Sequence, residues 1–288
     1  MAPVDSGQLF LLAGIAIIAC LWLLGTNHAL QREYPKRRDE QLGAKQPSTT
    51  RQPLEVLYPD PSDKVNGEAE VDIIAVHGLG SNVDWSWTWK SKTRDIHWLR
   101  DRDMLPNVVP KSRIMVYNYD SKWHSNAPQT RLQICGEDLI RSVHNFRNHN
   151  GMTGRPILLI GHSLGGNVIQ HALLYADSEA EFSYLPKLIV GLVFLGSPFR
   201  GSALQPVASF AARVLSLAQS HAGIINDLEY DSPTMTDKLH SFCRLRERML
   251  IPTSCFFELY ATDYGRKIRI PGLIKGMARI SHEWMNSV

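Results

Sequence analysis

Residues 157–176, ILLIGHSLGGNVIQHALLYA, constrain this chain more than any other stretch. An apolar run stops at Gly161, Ser163 stands between Gly161 and Gly165, and an apolar helical pattern resumes at once. A strand that must become a helix within so few residues bends sharply. The G-x-S-x-G composition allows that bend and presents the central serine at the helix N-terminus. The alternative is an ordinary serine in a strand-to-helix glycine turn.

The apolar pattern recurs along the chain. Residues 71–80 (VDIIAVHGLG), 112–120 (SRIMVYNYD) and 187–198 (KLIVGLVFLGSP) are short apolar runs closed by turn residues, as strands buried on both faces should be. Between them, Leu132, Cys135, Leu139, Val143 and Phe146 recur at steps of three and four, which places them on one helix face. Residues 253–260 (TSCFFELY) read as a late strand. This alternation predicts an α/β fold with a mainly parallel sheet and helices on both faces.

A serine hydroxyl attacks an ester only when it is held beside a base, with N–H donors facing the developing oxyanion. HGLGS, residues 77–81, follows an earlier strand and offers backbone N–H groups at the same sheet edge. The amide of Gly78 or Leu79, with that of Leu164, is the candidate oxyanion hole. His77 and His162 read as structural. In this chain order an acid closes a late strand and the base follows it. That order selects Glu258, with Asp263 in reserve, and His282, the one histidine after Glu258. His221 and His240 precede the late strand. A solvated strand-end carboxylate is the alternative for Glu258, and a tail histidine without a role for His282.

The order HGLGSN, WTW, WLRD, RIMVYNYDS, LLIGHSLGGNVIQHALL and GLVFLGSPFRGS resembles the α/β-hydrolase domain of the serine-active-site-containing (SERAC) protein family, over roughly residues 70–260. It is also similar to fungal proteins that place such a domain before nucleotide-binding or ankyrin modules and, more distantly, to GPI inositol-deacylases. The resemblance implies an α/β-hydrolase fold and a serine hydrolase or acyltransferase acting on lipid or ester substrates. Such sequences continue past the acid through a further strand, a histidine-bearing loop and a closing helix. Only a short remnant of that length follows Glu258, so we expect a truncated or alternatively spliced C-terminus.

Residues 9–25, LFLLAGIAIIACLWLLG, are uncharged and reach the ~17-residue lower bound of a spanning helix. The run exceeds the ~7–15 apolar residues of a cleaved signal, so a retained transmembrane anchor is expected after the short segment 1–8. No Lys or Arg precedes it, whereas Arg32, Lys36, Arg37, Arg38, Lys45 and Arg51 follow, which places the body on the cytosolic side; the charges do not name the organelle, and endoplasmic reticulum and mitochondrion stay open. Residues 26–64, basic and broken by prolines, read as a linker, although PLEVLYP within it suits an edge strand. The hydrolase domain would then span 65–288, with residues 202–250 forming either a lid or ordinary packing helices.

A net charge of +3 gives the chain no basic footprint for nucleic acid. Cys20, Cys135, Cys243 and Cys255 lie far apart without a CxxC pair, so buried free thiols and no zinc are expected. Acyl-enzyme chemistry needs no cofactor. Trp85, Trp87 and Trp89 either line an acyl-chain pocket or cover the core. Two functions follow: a membrane-anchored serine hydrolase of lipid or small ester substrates, with acyl transfer as a variant using the same residues, or a catalytically silent interaction or sensor module.

Overall fold

The computed structural model describes residues 53–60, 69–78, 83–90, 93–119, 128–151, 154–199 and 233–256. Within them the chain runs β1 (Leu54–Tyr58), β2 (Val71–Val76), α1 (Val83–Ser86), β3 (Thr88–Trp89), β4 (Ile96–His97), α2 (Leu105–Val108), β5 (Ser112–Tyr117), α3 (Pro128–His149), β6 (Ile157–His162), α4 (Leu164–Ser178), β7 (Ile189–Leu195), α5 (Pro233–Arg248) and β8 (Thr253–Phe256). One sheet has the order β1-β5-β2-β6-β7-β8, while β3 and β4 pair separately. All neighbours in the sheet are parallel except β1, which runs antiparallel to β5.

Every residue of β2 and β5 is buried, which is why residues 73–76 and 114–117 read as continuous apolar runs instead of alternating ones, after the buried polar residues Asp72, Ser112 and Arg113 at the strand starts. The pleat sends Ile74 and Val76 to one core, shared with Leu139 and Val143 of α3, Val168 and Ala172 of α4, and Phe242 and Leu245 of α5. Ile73 and Ala75 go to the other, where Trp87, Trp98, Leu99 and Leu105 cover the sheet. Among the described residues the three long helices thus share one face, and the Trp-bearing segment with short α1 and α2 covers the opposite one. The helix face expected in α3 is the buried one: Leu132, Cys135, Leu139 and Val143 lie in the core, with Phe146 packed against it.

The boundary expected at residue 65 is corrected, because the sheet reaches back to Leu54. β1 pairs Leu54 with Tyr117 and Val56 with Met115. Its prolines, Pro53 and Pro59, stand outside the paired stretch, so its own N–H groups are available to the ladder, and an edge is where such flanks are tolerated. Of the stretch 202–250, α5 is a packing helix with Phe242 and Leu245 buried, and residues 202–232 lie outside the described residues. Cys135 is buried as expected, whereas Cys255 is exposed on β8; Cys135, Cys243 and Cys255 are all free thiols. Among the described residues no helix is long and apolar enough to cross a membrane; the expected anchor, 9–25, lies outside them.

From β2 the chain moves outward to β5 and then crosses back to β6 on the other side of β2. A crevice opens at such a reversal, outside the carboxyl ends of the strands. His77 and Gly78 follow β2 there, and Ser163 follows β6.

Candidate active site

β6 delivers the chain to a turn and α4 carries it away. Ser163 adopts φ 53° and ψ −130°, a positive-φ conformation that costs a residue with a side chain about 1–3 kcal/mol. Two bonds hold it there: the Ser163 N–H donates to the Leu195 carbonyl at 2.8 Å, and the Gly166 N–H donates to the Ser163 carbonyl at 3.0 Å. The Gly196 N–H donates to the Phe256 carbonyl at 2.7 Å, so the ends of β6, β7 and β8 are tied into one edge. Ser163 is half-buried, and Leu164, the first residue of α4, is buried. The first amides of a helix have no partner within it and carry the positive end of its dipole, here beside the serine.

Gly165 seats that helix on β2. A β-carbon at Gly165 would lie 2.2 Å from the Val76 carbonyl oxygen and 2.6 Å from that of His77, so only glycine permits the approach. The same contact brings the HG dipeptide to the serine. A β-carbon at Gly78 would lie 2.9 Å from Ser163 Cβ and 3.3 Å from its Oγ.

His77 is fully buried, and its Nδ1–H donates to the Gly78 carbonyl at 2.9 Å. Its ring stacks on Tyr119 at 4.4 Å between centroids and 11° between planes. Burial drives its pKa down to about 4, against the bond to Gly78 and with nearby His162 adding to the fall. His77 is therefore a neutral structural ring, as the sequence suggested. His162 is exposed beside the serine, its ring 6.0 Å from Trp87 in an edge contact. Trp87 itself is buried and meets Trp98 edge-on at 5.6 Å, so this tryptophan covers the core.

The structure thus brings together Ser163, Leu164 and Gly78. Leu79, Glu258, Asp263 and His282 lie outside the described residues. No group of three His, Cys, Asp or Glu among the described residues is placed to hold a metal ion. Sequence reasoning missed Tyr119. The signal was present, because Tyr117 and Tyr119 are two apart at the end of β5 and so share one face.

A profile of the alpha/beta hydrolase family matches residues 73–271, from β2 to beyond β8. The chain belongs to the alpha/beta hydrolase family. Among curated proteins, this alpha/beta hydrolase is similar to Protein SERAC1 of Danio rerio, 25% identical over 234 residues that cover 73% of this chain and 33% of that protein. Protein SERAC1 of Homo sapiens is 23% identical over 226 residues, with the same two coverages. The resemblance expected from the motifs is thus found across most of the chain, which spans about a third of the length of these relatives. Among solved structures, the mature lipase BlEst2 of Bacillus licheniformis aligns with a TM-score of 0.42 at 14% identity, over 75% of this chain and 74% of that one.

Proposed function

We propose that this alpha/beta hydrolase cleaves ester bonds of lipids or small esters through an acyl-enzyme on Ser163. The observation that carries the reading is the strained Ser163 turn, held at a helix N-terminus with Gly78 pressed against its side chain. Strain at one serine in an otherwise ordinary sheet points to a side chain that must be presented. In the proposed reaction Ser163 Oγ attacks the ester carbonyl while His282 takes its proton, oriented by Glu258. The amides of Leu164 and of Gly78 or Leu79 bind the oxyanion. The proton passes to the departing alkoxide, and water then releases the acid, or a second alcohol accepts the acyl group.

β8 ends beside Gly196, next to the serine turn, and Glu258 follows Phe256 by two residues in sequence. That order supports it as the acid. Residues 9–25 would anchor the chain in a membrane with its body in the cytosol, close to lipid substrate.

The test is labelling of the full chain by a fluorophosphonate probe, beside Ser163→Ala. We expect labelling that the variant abolishes, together with hydrolysis of p-nitrophenyl butyrate. A folded chain that takes no label overturns the proposal in favour of the silent module.

A further inference from the structure

The loop after β2 carries more polar hydrogen bonding than a buried turn needs. Gly78 lies between two peptide units, and the carbonyl of each is held by a side chain. The Tyr119 hydroxyl donates to the His77 carbonyl at 2.8 Å, and the His77 ring donates from Nδ1 to the Gly78 carbonyl at 2.9 Å. A trans peptide is planar, with C=O and N–H pointing opposite ways, so fixing a carbonyl fixes the N–H at the other end of its plane. The two bonds hold Gly78 on both sides, and the first of them fixes the Gly78 N–H, an amide that the proposed reaction draws on.

The anchorage continues inward. Tyr119 stacks on Tyr117 at 5.5 Å and 18°, and the Tyr117 hydroxyl donates to the Cys135 carbonyl of α3 at 3.1 Å. Three rings, His77, Tyr119 and Tyr117, therefore form a column from the turn beside Ser163 to a long helix. The column carries a cost: His77 Nε2 is buried with no hydrogen-bond partner, a loss that an apolar ring of the same shape would avoid. Only the Nδ1 bond to Gly78 distinguishes histidine from such a ring here. At neutral pH the ring holds a single proton, and because a carbonyl can only accept, that proton sits on Nδ1.

We propose that His77 and Tyr119 are positioning residues that hold Gly78 so that its backbone amide faces the oxyanion formed on the Ser163 adduct. Neither touches the reacting atoms. They act through the two peptide planes, and this role rests on the ester-hydrolase reading.

The test uses the full chain with Tyr119→Phe, which keeps the stack and removes one hydroxyl, and His77→Asn as the stronger variant. Active sites are counted by fluorophosphonate labelling, so that misfolded chain does not enter the rate. For Tyr119→Phe we expect kcat on p-nitrophenyl butyrate to fall roughly tenfold per labelled site with KM within twofold, as for a small misplacement of catalytic groups. Ki for an alkyl trifluoromethyl ketone, which forms a tetrahedral oxyanion on the serine, should rise by the same factor. Unchanged kcat and Ki per labelled site in Tyr119→Phe would overturn the positioning role and leave the hydrolase reading standing, even if His77→Asn fails to fold. Failure of the parent chain to label would overturn both.

Discussion

Gly78 and Ser163 face each other across the end of the sheet, so close that a β-carbon at Gly78 would come within 2.9 Å of Ser163 Cβ. Real β-carbons do not approach other atoms so nearly, and the atoms met are Ser163 Cβ, which the turn's backbone fixes in place, and the His162 carbonyl oxygen at 3.3 Å, so no side-chain rotation relieves the contact. Gly78→Ala should therefore part the two loops while leaving the sheet intact. We expect stability to fall by about 1–3 kcal/mol from overpacking. Hydrolysis of p-nitrophenyl butyrate should fall roughly 10²–10³-fold, the size of losing one oxyanion donor. Circular dichroism with an esterase assay on the same sample checks both.

The φ of 53° at Ser163 makes a second prediction. Glycine takes this conformation without strain, whereas alanine suffers as serine does. Relief of about 1–3 kcal/mol of strain outweighs the ~0.5–1 kcal/mol that glycine adds to the entropy of the unfolded chain. Ser163→Gly should thus unfold at higher denaturant than Ser163→Ala, by about 1 kcal/mol, with neither variant labelled by a fluorophosphonate. Equal stabilities would show that the turn is not strained.

The sheet, its parallel sense and the serine turn were legible in the sequence because each leaves a local mark. Burial on both faces writes residues 73–76 and 157–160 as unbroken apolar runs, and a sharp strand-to-helix bend writes Gly161 and Gly165. The long-range parts were not legible. Nothing around Tyr119 says that its hydroxyl reaches the His77 carbonyl, since that contact is made only when β5 and β2 lie side by side. β1 was legible as an edge strand, but the prolines around it put it in the linker instead of the sheet. The acid and base were inferred from chain order alone, which orders candidates without bringing them to the serine.

At the opposite edge of the sheet Asp72 is fully buried at the start of β2, bridged by Arg113 at 2.8 Å, Arg155 at 3.2 Å and the buried Arg147 of α3. Withdrawing one charge from a buried set leaves the others uncompensated, at a cost of about 3–5 kcal/mol. Asp72→Asn should lower stability by that amount in urea titration. Because Asp72 lies at the far end of β2 from Gly78, kcat per labelled site should stay within twofold. A stability change under 1 kcal/mol would show that the cluster is held by its surroundings and not by Asp72.

His77 and His171 are both buried, and both have pKa values pulled down to about 4; burial is the main cause in each, with Lys238 of α5 adding to it at His171. In the unfolded chain each returns to about 6.5. Above that value both states are neutral and pH has no effect through these groups. Between about 6.5 and 4 the unfolded chain binds a proton that the folded chain refuses, so stability falls as pH falls, by roughly 2 kcal/mol per histidine from pH 7 to pH 5. His171→Leu should remove one of these contributions and flatten the dependence, leaving that of His77. Urea midpoints of the two chains at pH 7 and pH 5 provide the check. If parent and variant lose stability equally on acidification, His171 is not held neutral in the folded state.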